Sequence, residues 1–419
     1  MNENTKYWIW LQQSIGYANP KINTVLNFYE SIQDFYNGGE KEWRLSGSFS
    51  HTELRKMYEN SLEEAESLIE QCEKLQYTII TPDDKEYPKN LKEIYEPPSV
   101  LYVYGRLPDL ENTLSIGIVG TRNATVSGKK NAYTISYDLA KAGVIIISGG
   151  ALGIDSVAHN GALVAGGETV CVLGCGINYN YLSANANLRY EISRHGALIS
   201  EYPPDTPASK YSFPRRNRII SALSQGILVV EAGKKSGALL TAESAQSQNK
   251  DIFAIPGDIN NIYAVGTNNL IKQGAKPVTN ALDILEEYRY KYTLSDITVT
   301  ETVDNQIIEN LSVSNVKRTG NEKTSFQKRK PNSTPKSISK KNIPVILNNA
   351  PTESKKELPS YISDTAKEIY AVICEKTTSL DDIINSNAIP SQHIMTAITE
   401  LELAGLIVKD EAEGKYQSV

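Results

Sequence analysis

Six short apolar runs, at 116–119, 144–148, 169–173, 197–200, 227–231 and 251–255, constrain the fold more than any other feature of this chain. They are dense in Val, Ile and Leu, the pattern of strands covered on both faces. Between them lie longer stretches with helical spacing, opening near Ser127, Ile154, Asn187, Asn217 and Ala238. Strands joined by single helices lie parallel in one sheet. The expectation is an α/β fold with a doubly wound, mainly parallel sheet within 76–289. In such a sheet ligands lie beyond the carboxyl ends of the strands, so the strand-to-helix loops are the places to look for function.

The flanks have a different character. Residues 62–75 (LEEAESLIEQCEKL) place apolar residues at helical spacing opposite acidic ones. Gly38-Gly39 and Ser46-Gly47-Ser48 mark turns between short helices. Residues 1–75 therefore predict an N-terminal helical domain, SAM- or helix-hairpin-helix-like. They hold no Gly-x-Gly hairpin flanked by basic residues, which favours a packing role over contact with DNA. Residues 290–358 are expected to be a disordered basic linker. Within it, 316–341 carries nine Lys/Arg and one Glu among Ser, Thr, Asn and Pro, too polar to build a core. Weak attraction to phosphates and a solubilising tether both suit it. In 359–419, helices at 364–375, 379–386 and 390–404 and a wing over 406–418 predict a winged-helix domain. Its third helix reads SQHIMTAITELELA, with two Glu and no Lys or Arg. Such a helix suits protein contact, or a vestigial role, better than a DNA groove.

The net charge of −6 means that a nucleic-acid partner would need a local basic patch. Cys72, Cys171, Cys175 and Cys374 are scattered, as in a reducing compartment. Cys171 and Cys175 read as buried thiols at a strand end. With no second cysteine pair and four histidines in all, no metal site is expected. His159 and His195 are isolated and read as structural. The opening residues MNENTKYWIW lack the basic start and apolar core of a signal peptide. The apolar runs fall far short of the ~20 residues that span a bilayer. A soluble, cytoplasmic protein without membrane contact is expected.

Four loops carry the chemistry. In the first, Gly120-Thr121-Arg122 leads from strand to helix, where free N–H groups and the helix dipole suit an anion. Arg122 adds a planar fork for phosphate. A strand–glycine–helix turn also occurs for packing alone. The second loop, 148–155, sets Gly149, Gly150 and Gly153 at a strand-to-helix junction, which suggests close approach of a ligand to the backbone. Asp155 reads there as a helix cap. This strand closes on Ser148, where a dinucleotide site would place an acidic residue. The third loop, 201–218, sets Lys210, Arg215, Arg216 and Arg218 within nine residues, interleaved with Tyr211 and Phe213. Cations suit phosphates and aromatic faces suit unpaired bases, so this loop points to a single strand. Lys210 and Phe213 read as functional. Arg216 and Arg218, beside the helix start at Asn217, serve either the ligand or ion pairs with Glu201, Glu231 or Glu243. In the fourth loop Ser236-Gly237 opens a helix, and Lys234 and Lys235 extend the basic strip. No cofactor is expected.

Together these segments resemble the DNA-processing protein A (DprA/Smf) family. The resemblance rests on GTR at 120–122, SGGALGID at 148–155, CG at 175–176, FPRRNRII at 213–220, VVEAGKKSGALLTAESA at 229–245, and IPG with GTNNLI in 255–271. The segment ITPDDKEYPKNLKEIYEPPSVLYVYG at 80–105 is also similar to it. The resemblance implies a Rossmann-like domain that binds incoming single-stranded DNA in natural transformation, protects it and helps load the RecA recombinase. It further implies competence-linked recombination, a homodimer and no catalytic step. Carried over by position, Arg122 and Lys210 hold phosphates, Phe213 stacks on a base, and Arg215, Arg216, Arg218 and the glycines of 148–153 shape the pocket. The family usually has Asp where Asn178 stands and Tyr-Pro where Tyr181-Leu182 stands, so 174–188 receives no DNA contacts.

Two other readings compete. One is a nucleotide-binding or phosphoribohydrolase-type enzyme. Such enzymes carry a Pro-Gly-Gly-x-Gly-Thr run with a following Glu where this chain has Gly233-Lys234-Lys235-Ser236-Gly237-Ala238. The other is a pure interaction scaffold with an empty pocket.

Overall fold

The computed structural model describes residues 2–300 and, beyond them, 364–375, 378–379, 394, 397–398, 401, 407–409 and 415–418. The chain divides into two compact units, Met1–Lys323 and Thr324–Val419. Most of the expected linker, including 316–341, and most of the helices expected at 379–386 and 390–404 lie outside the described residues.

The first unit opens with five helices: α1 (Thr5–Ile15), α2 (Ile22–Phe28), α3 (Ile32–Leu45), α4 (His51–Glu59) and α5 (Leu62–Lys74). Local chemistry sets their starts. The Ser31 side chain accepts from the Asp34 N–H, and Ser50 with Glu53 forms a reciprocal capping box. These helices bury Trp8, Trp10, Phe35 and Trp43 in a cluster that continues into Tyr102, Cys171, Leu173 and Leu198 of the sheet. The helical segment and the sheet thus share a core.

The remaining elements of this unit are β1 (Thr78–Ile80), α6 (Lys89–Lys92), β2 (Leu101–Gly105), β3 (Ser115–Val119), α7 (Val126–Lys141), β4 (Ile145–Ser148), α8 (Ile154–Val164), β5 (Thr169–Leu173), α9 (Ala186–Arg194), β6 (Gly196–Ser200), α10 (Ser212–Leu223), β7 (Gly226–Val229), α11 (Gly237–Ser247), β8 (Asp251–Ala254), α12 (Val265–Lys272), β9 (Lys276–Pro277) and α13 (Leu282–Tyr288). The nine strands form one sheet in the order β1-β2-β6-β5-β4-β3-β7-β8-β9. From β6 to β9 every pairing is parallel; β2 joins β6, and β1 joins β2, antiparallel. Each of the six apolar runs is a strand. The short strands β1, β2 and β9 were not among them.

Side chains of β5 alternate between faces, Cys171 and Leu173 toward the N-terminal helices and Val170 and Val172 toward the core beneath α10 and α11. A third cluster joins Ile116, Ile118 and Ile146 to α7, α8 and α13. Both faces are therefore covered, which is why the strands read as unbroken apolar runs. Strand order runs outward from β3 through β4, β5 and β6 on one side and restarts with β7 on the other. That reversal opens a crevice at the carboxyl ends of β3 and β7.

The main correction concerns α10. It begins at Ser212, not Asn217, so Phe213, Arg215, Arg216 and Arg218 lie on its first two turns and not in a loop. Pro214 is tolerated there because first-turn N–H groups need no helical partner.

In the second unit, helix α14 (Asp364–Glu375) and strands β10 (Thr378–Ser379), β11 (Ile407–Lys409) and β12 (Lys415–Ser418) are described. Here β12 lies between β10 and β11 and pairs antiparallel with both. Ile369, Ile373, Ile394, Ile398, Leu401, Ile407 and Tyr416 form its core. Among the described residues no helix is long and apolar enough to cross a membrane.

Candidate nucleic-acid interface

A cleft of about 350 Å³ lies at the β3/β7 reversal. Gly120, Thr121, Arg122, Phe213, Arg216, Asn217, Ser236 and Gly237 of the expected set line it, together with Asp155. Four separate strand-to-helix connections converge there, as the doubly wound topology requires.

At the rim, the guanidinium carbon of Arg122 lies 5.4 Å from the Phe213 ring centroid. On that ring's other contact, Tyr181 lies 5.1 Å away at 44°. Phe213 is half-buried, and Arg122, Lys210, Tyr211 and Arg215 are exposed. Lys210 sits on a tight turn in which the Ser209 and Ser212 hydroxyls bond the backbone, and its Nζ lies 5.1 Å from the Tyr211 ring. Among the described residues Arg122, Lys210, Arg215 and Arg216 make no ion pair. The positive charge of this rim is therefore free to meet an external anion.

Arg216 forms part of the cleft wall and is 6% exposed. Its Nη1 donates to the carbonyls of Gly149 and Val172, and its Nε to Asn217 Oδ1. Asn217 in turn donates to the Gly237 carbonyl at 3.4 Å, tying α10 to α11. Ser236 caps α11 through the Ala238 N–H. Burial pushes the Asp155 carboxyl up, and Arg216 pulls it back down. Asp155 also accepts from the Ala151 N–H of the preceding loop at 3.3 Å; it lies inside α8, whose N-cap is Gly153 without a side-chain cap, so it ties the loop and does not cap the helix as expected.

Several expectations change. Arg218 faces away from the cleft: its Nη2 lies 2.6 Å from Glu201 Oε1 and its Nε 3.6 Å from Glu96 Oε2. It is three residues after Arg215 on the same helix and takes that face inward as it descends. Ser148 is fully buried and donates to the Ile118 carbonyl at 2.6 Å, so it presents nothing to a ligand. The glycines at 149, 150 and 153 meet the chain itself. A Cβ at Gly149 would strike the Arg216 guanidinium, and Gly153, at φ +81°, would strike the carbonyls of Thr121 and Arg122. The anion expected at the start of α7 is already supplied. Glu231 accepts from the Thr125 N–H at 2.9 Å and from its hydroxyl at 2.5 Å, and the Thr121 N–H is bonded to the Glu231 carbonyl. That helix terminus is neutralised from within.

Tyr179 and Tyr181 lie in 174–188, where the sequence predicts no DNA contacts. Both stand beside Phe213 and Arg216. Two tyrosines just past a strand's carboxyl end were the available signal. Leu182 adopts φ +54°, which a proline ring cannot reach, so the departure from Tyr-Pro carries a different turn. Asn178 bonds Asp205. Cys171 and Cys175 are buried thiols, and burial pushes Cys171 up to about 12. Among the described residues no group of His, Cys, Asp and Glu is placed to hold a metal ion.

A nine-stranded, mostly parallel α/β sheet with a cation- and aromatic-lined cleft at its order reversal defines a protein of Rossmann-like fold. The chain belongs to the DNA recombination-mediator protein A family, whose model matches residues 78–289. It is 32% identical to Protein Smf of Synechocystis over 99% of both chains. It is 35% identical to the DNA processing protein DprA of Streptococcus pneumoniae, covering 68% of this chain and 99% of that one. The X-ray structure of that pneumococcal protein superposes with a TM-score of 0.60, over 68% of this chain and 98% of that chain.

Proposed function

We propose that the chain binds single-stranded DNA along the carboxyl rim of the sheet and performs no chemical step on it. One observation carries this reading: the half-buried Phe213 ring lies beside Arg122, and Lys210, three residues earlier in the chain, is exposed, both cations without an ion pair among the described residues. Free cations draw phosphates, and an aromatic face beside one of them takes a base that duplex DNA would hide. Guanidiniums, amides and hydroxyls supply the polar groups of the cleft, with Asp155 the one carboxylate among its lining residues. Such a set holds an anion and offers no nucleophile–base pair.

In this reading the protein is cytoplasmic, protects incoming single strands during natural transformation, helps load RecA and works as a homodimer. The relatives named DNA processing protein support that setting. The helices of 2–74 would be the SAM- or helix-hairpin-helix-like module, and α14 with β10–β12 part of a winged helix.

Binding of labelled single- and double-stranded oligonucleotides at two salt concentrations tests the reading. Preference for the single strand and weakening with salt are expected. Duplex preference, or unchanged affinity in a Lys210→Ala, Phe213→Ala double variant, overturns it. Release of free base from nucleoside monophosphates would establish the enzymatic alternative instead.

A further inference from the structure

Phe213 offers one stacking face, and a strand longer than a single nucleotide must leave it along the rim. Two directions are open. Toward β7 lies the fourth loop, 231–240, which holds Lys234 and Lys235 but no aromatic residue. Toward β5 lies the connection 174–185. Phe213 leans that way: a Cβ at Gly174 would meet its ring at 2.9 Å, and Tyr181 packs on the ring at 5.1 Å.

Tyr179, two residues before Tyr181, is 41% exposed. Among the described residues no other ring and no cation pairs with its ring. The Tyr211 ring, by contrast, already carries the Lys210 ammonium. Tyr179, Tyr181 and Arg189 lie outside the β3/β7 cleft and meet Phe213 and Arg216 at the end of β5.

A tyrosine on a loose loop would lose much of its stacking energy to ordering. This connection is instead pinned on three sides. The Gly176 and Asn178 N–H groups donate to the carbonyls of Thr206 and Pro204 at 2.8 and 2.9 Å. Asn185 Nδ2 donates to the Gly150 carbonyl and to Ser156 Oγ, each at 3.0 Å. Arg189 Nη1 donates to the carbonyls of Tyr181 and Leu182 at 2.6 and 3.3 Å, holding Leu182 at φ +54°. Arg189 makes no ion pair among the described residues, so its charge is left for a phosphate of the strand. The combination of guanidinium and aromatic face found at Arg122 and Phe213 is thus repeated one connection further along the rim.

The geometry points to a second base-stacking site on Tyr179: a strand held at Phe213 runs toward β5, not β7, and lays a further base on the Tyr179 ring. This rests on the strand-binding reading above.

Fluorescence anisotropy of the full chain tests it with a ladder of thymidine oligomers from about four to about twenty nucleotides. Tyr179→Ala is expected to weaken binding by roughly five- to a hundredfold, the worth of one stacked base, and only above a threshold length. Its salt dependence stays that of the parent, because no charge is removed. Tyr179→Phe restores the parent affinity, since the ring stacks without its hydroxyl. A Lys234→Ala, Lys235→Ala double variant leaves the length threshold where it was. Equal losses in Tyr179→Ala at every length overturn the second site, because the residue would then act through Phe213. So does parent-like affinity of Tyr179→Ala at every length, and in that case single-strand binding itself still stands. A Tyr179→Phe variant as weak as Tyr179→Ala also overturns it, in favour of a hydrogen bond from the hydroxyl. A parent protein that binds no oligomer overturns both this site and the reading beneath it.

Discussion

Arg122 and Phe213 come from different strand-to-helix connections, yet the guanidinium carbon lies 5.4 Å from the ring centroid. This pairing holds a cation and a stacking face at one spot, and the two should fail differently. Phe213→Ala is expected to weaken single-strand binding by ~1–3 kcal/mol without changing its salt dependence. Lys210→Ala and Arg122→Gln are each expected to flatten the slope of log affinity against log salt by about 0.7. Fluorescence anisotropy over a salt series separates the two. An unchanged slope in both cation variants would mean that neither meets a phosphate.

Glu201 supplies the second prediction. Its Oε1 lies 2.6 Å from Arg218 Nη2 and 3.2 Å from the Ala18 N–H, and its carbonyl accepts from Gln12. Glu201→Gln leaves the buried Arg218 with only the longer, half-exposed contact to Glu96 and loosens the link between the N-terminal helices and the sheet. A loss of ~3–5 kcal/mol is expected from such a break. Urea denaturation reads it, and single-strand affinity of the folded protein should stay within about twofold, less than the 1.4 kcal/mol that a tenfold change represents.

Glu231 is the internal anion at the start of α7. Glu231→Gln keeps the shape but removes the charge that answers the helix dipole. The expected cost is up to ~2 kcal/mol, the value of a partly buried charge at a helix end. A urea midpoint equal to that of the parent protein would show that the dipole is met by another group.

His159 gives a pH dependence. It is fully buried, and burial pushes its pKa down from 6.5 to about 3. Thr169 Oγ1 donates to the Ile146 carbonyl, so His159 Nδ1 must donate to Thr169 at 2.7 Å, leaving Nε2 unprotonated. The unfolded chain binds a proton below pH 6.5 and the folded chain does not. Stability is therefore full above pH 6.5 and falls as pH drops toward about 3, by about 1.4 kcal/mol per unit once the unfolded histidine is protonated. Between pH 6.5 and 4.5 His159→Gln should remove this slope. Denaturation midpoints across that window check it, and an unaltered slope would place the proton uptake elsewhere.

Much of this protein follows from local sequence pattern. Unbroken Val/Ile runs dictated two-sided burial and hence a parallel sheet, and that in turn placed the binding surface at the strand-to-helix loops. Aromatics interleaved with arginines marked 210–218 as the unusual segment. Tertiary structure decided how those arginines divide. Starting α10 at Ser212 turns Arg216 into the cleft and Arg218 toward Glu201, a carboxylate on another segment that no local pattern links to it. It also decided that Glu231 would occupy the start of α7 and that the glycines of 149–153 would make room for Arg216 and the 121–122 carbonyls. Periodicity records which faces are buried, because burial acts on each residue where it stands. Charge pairing and close packing depend on partners distant in sequence, which only the folded chain brings together.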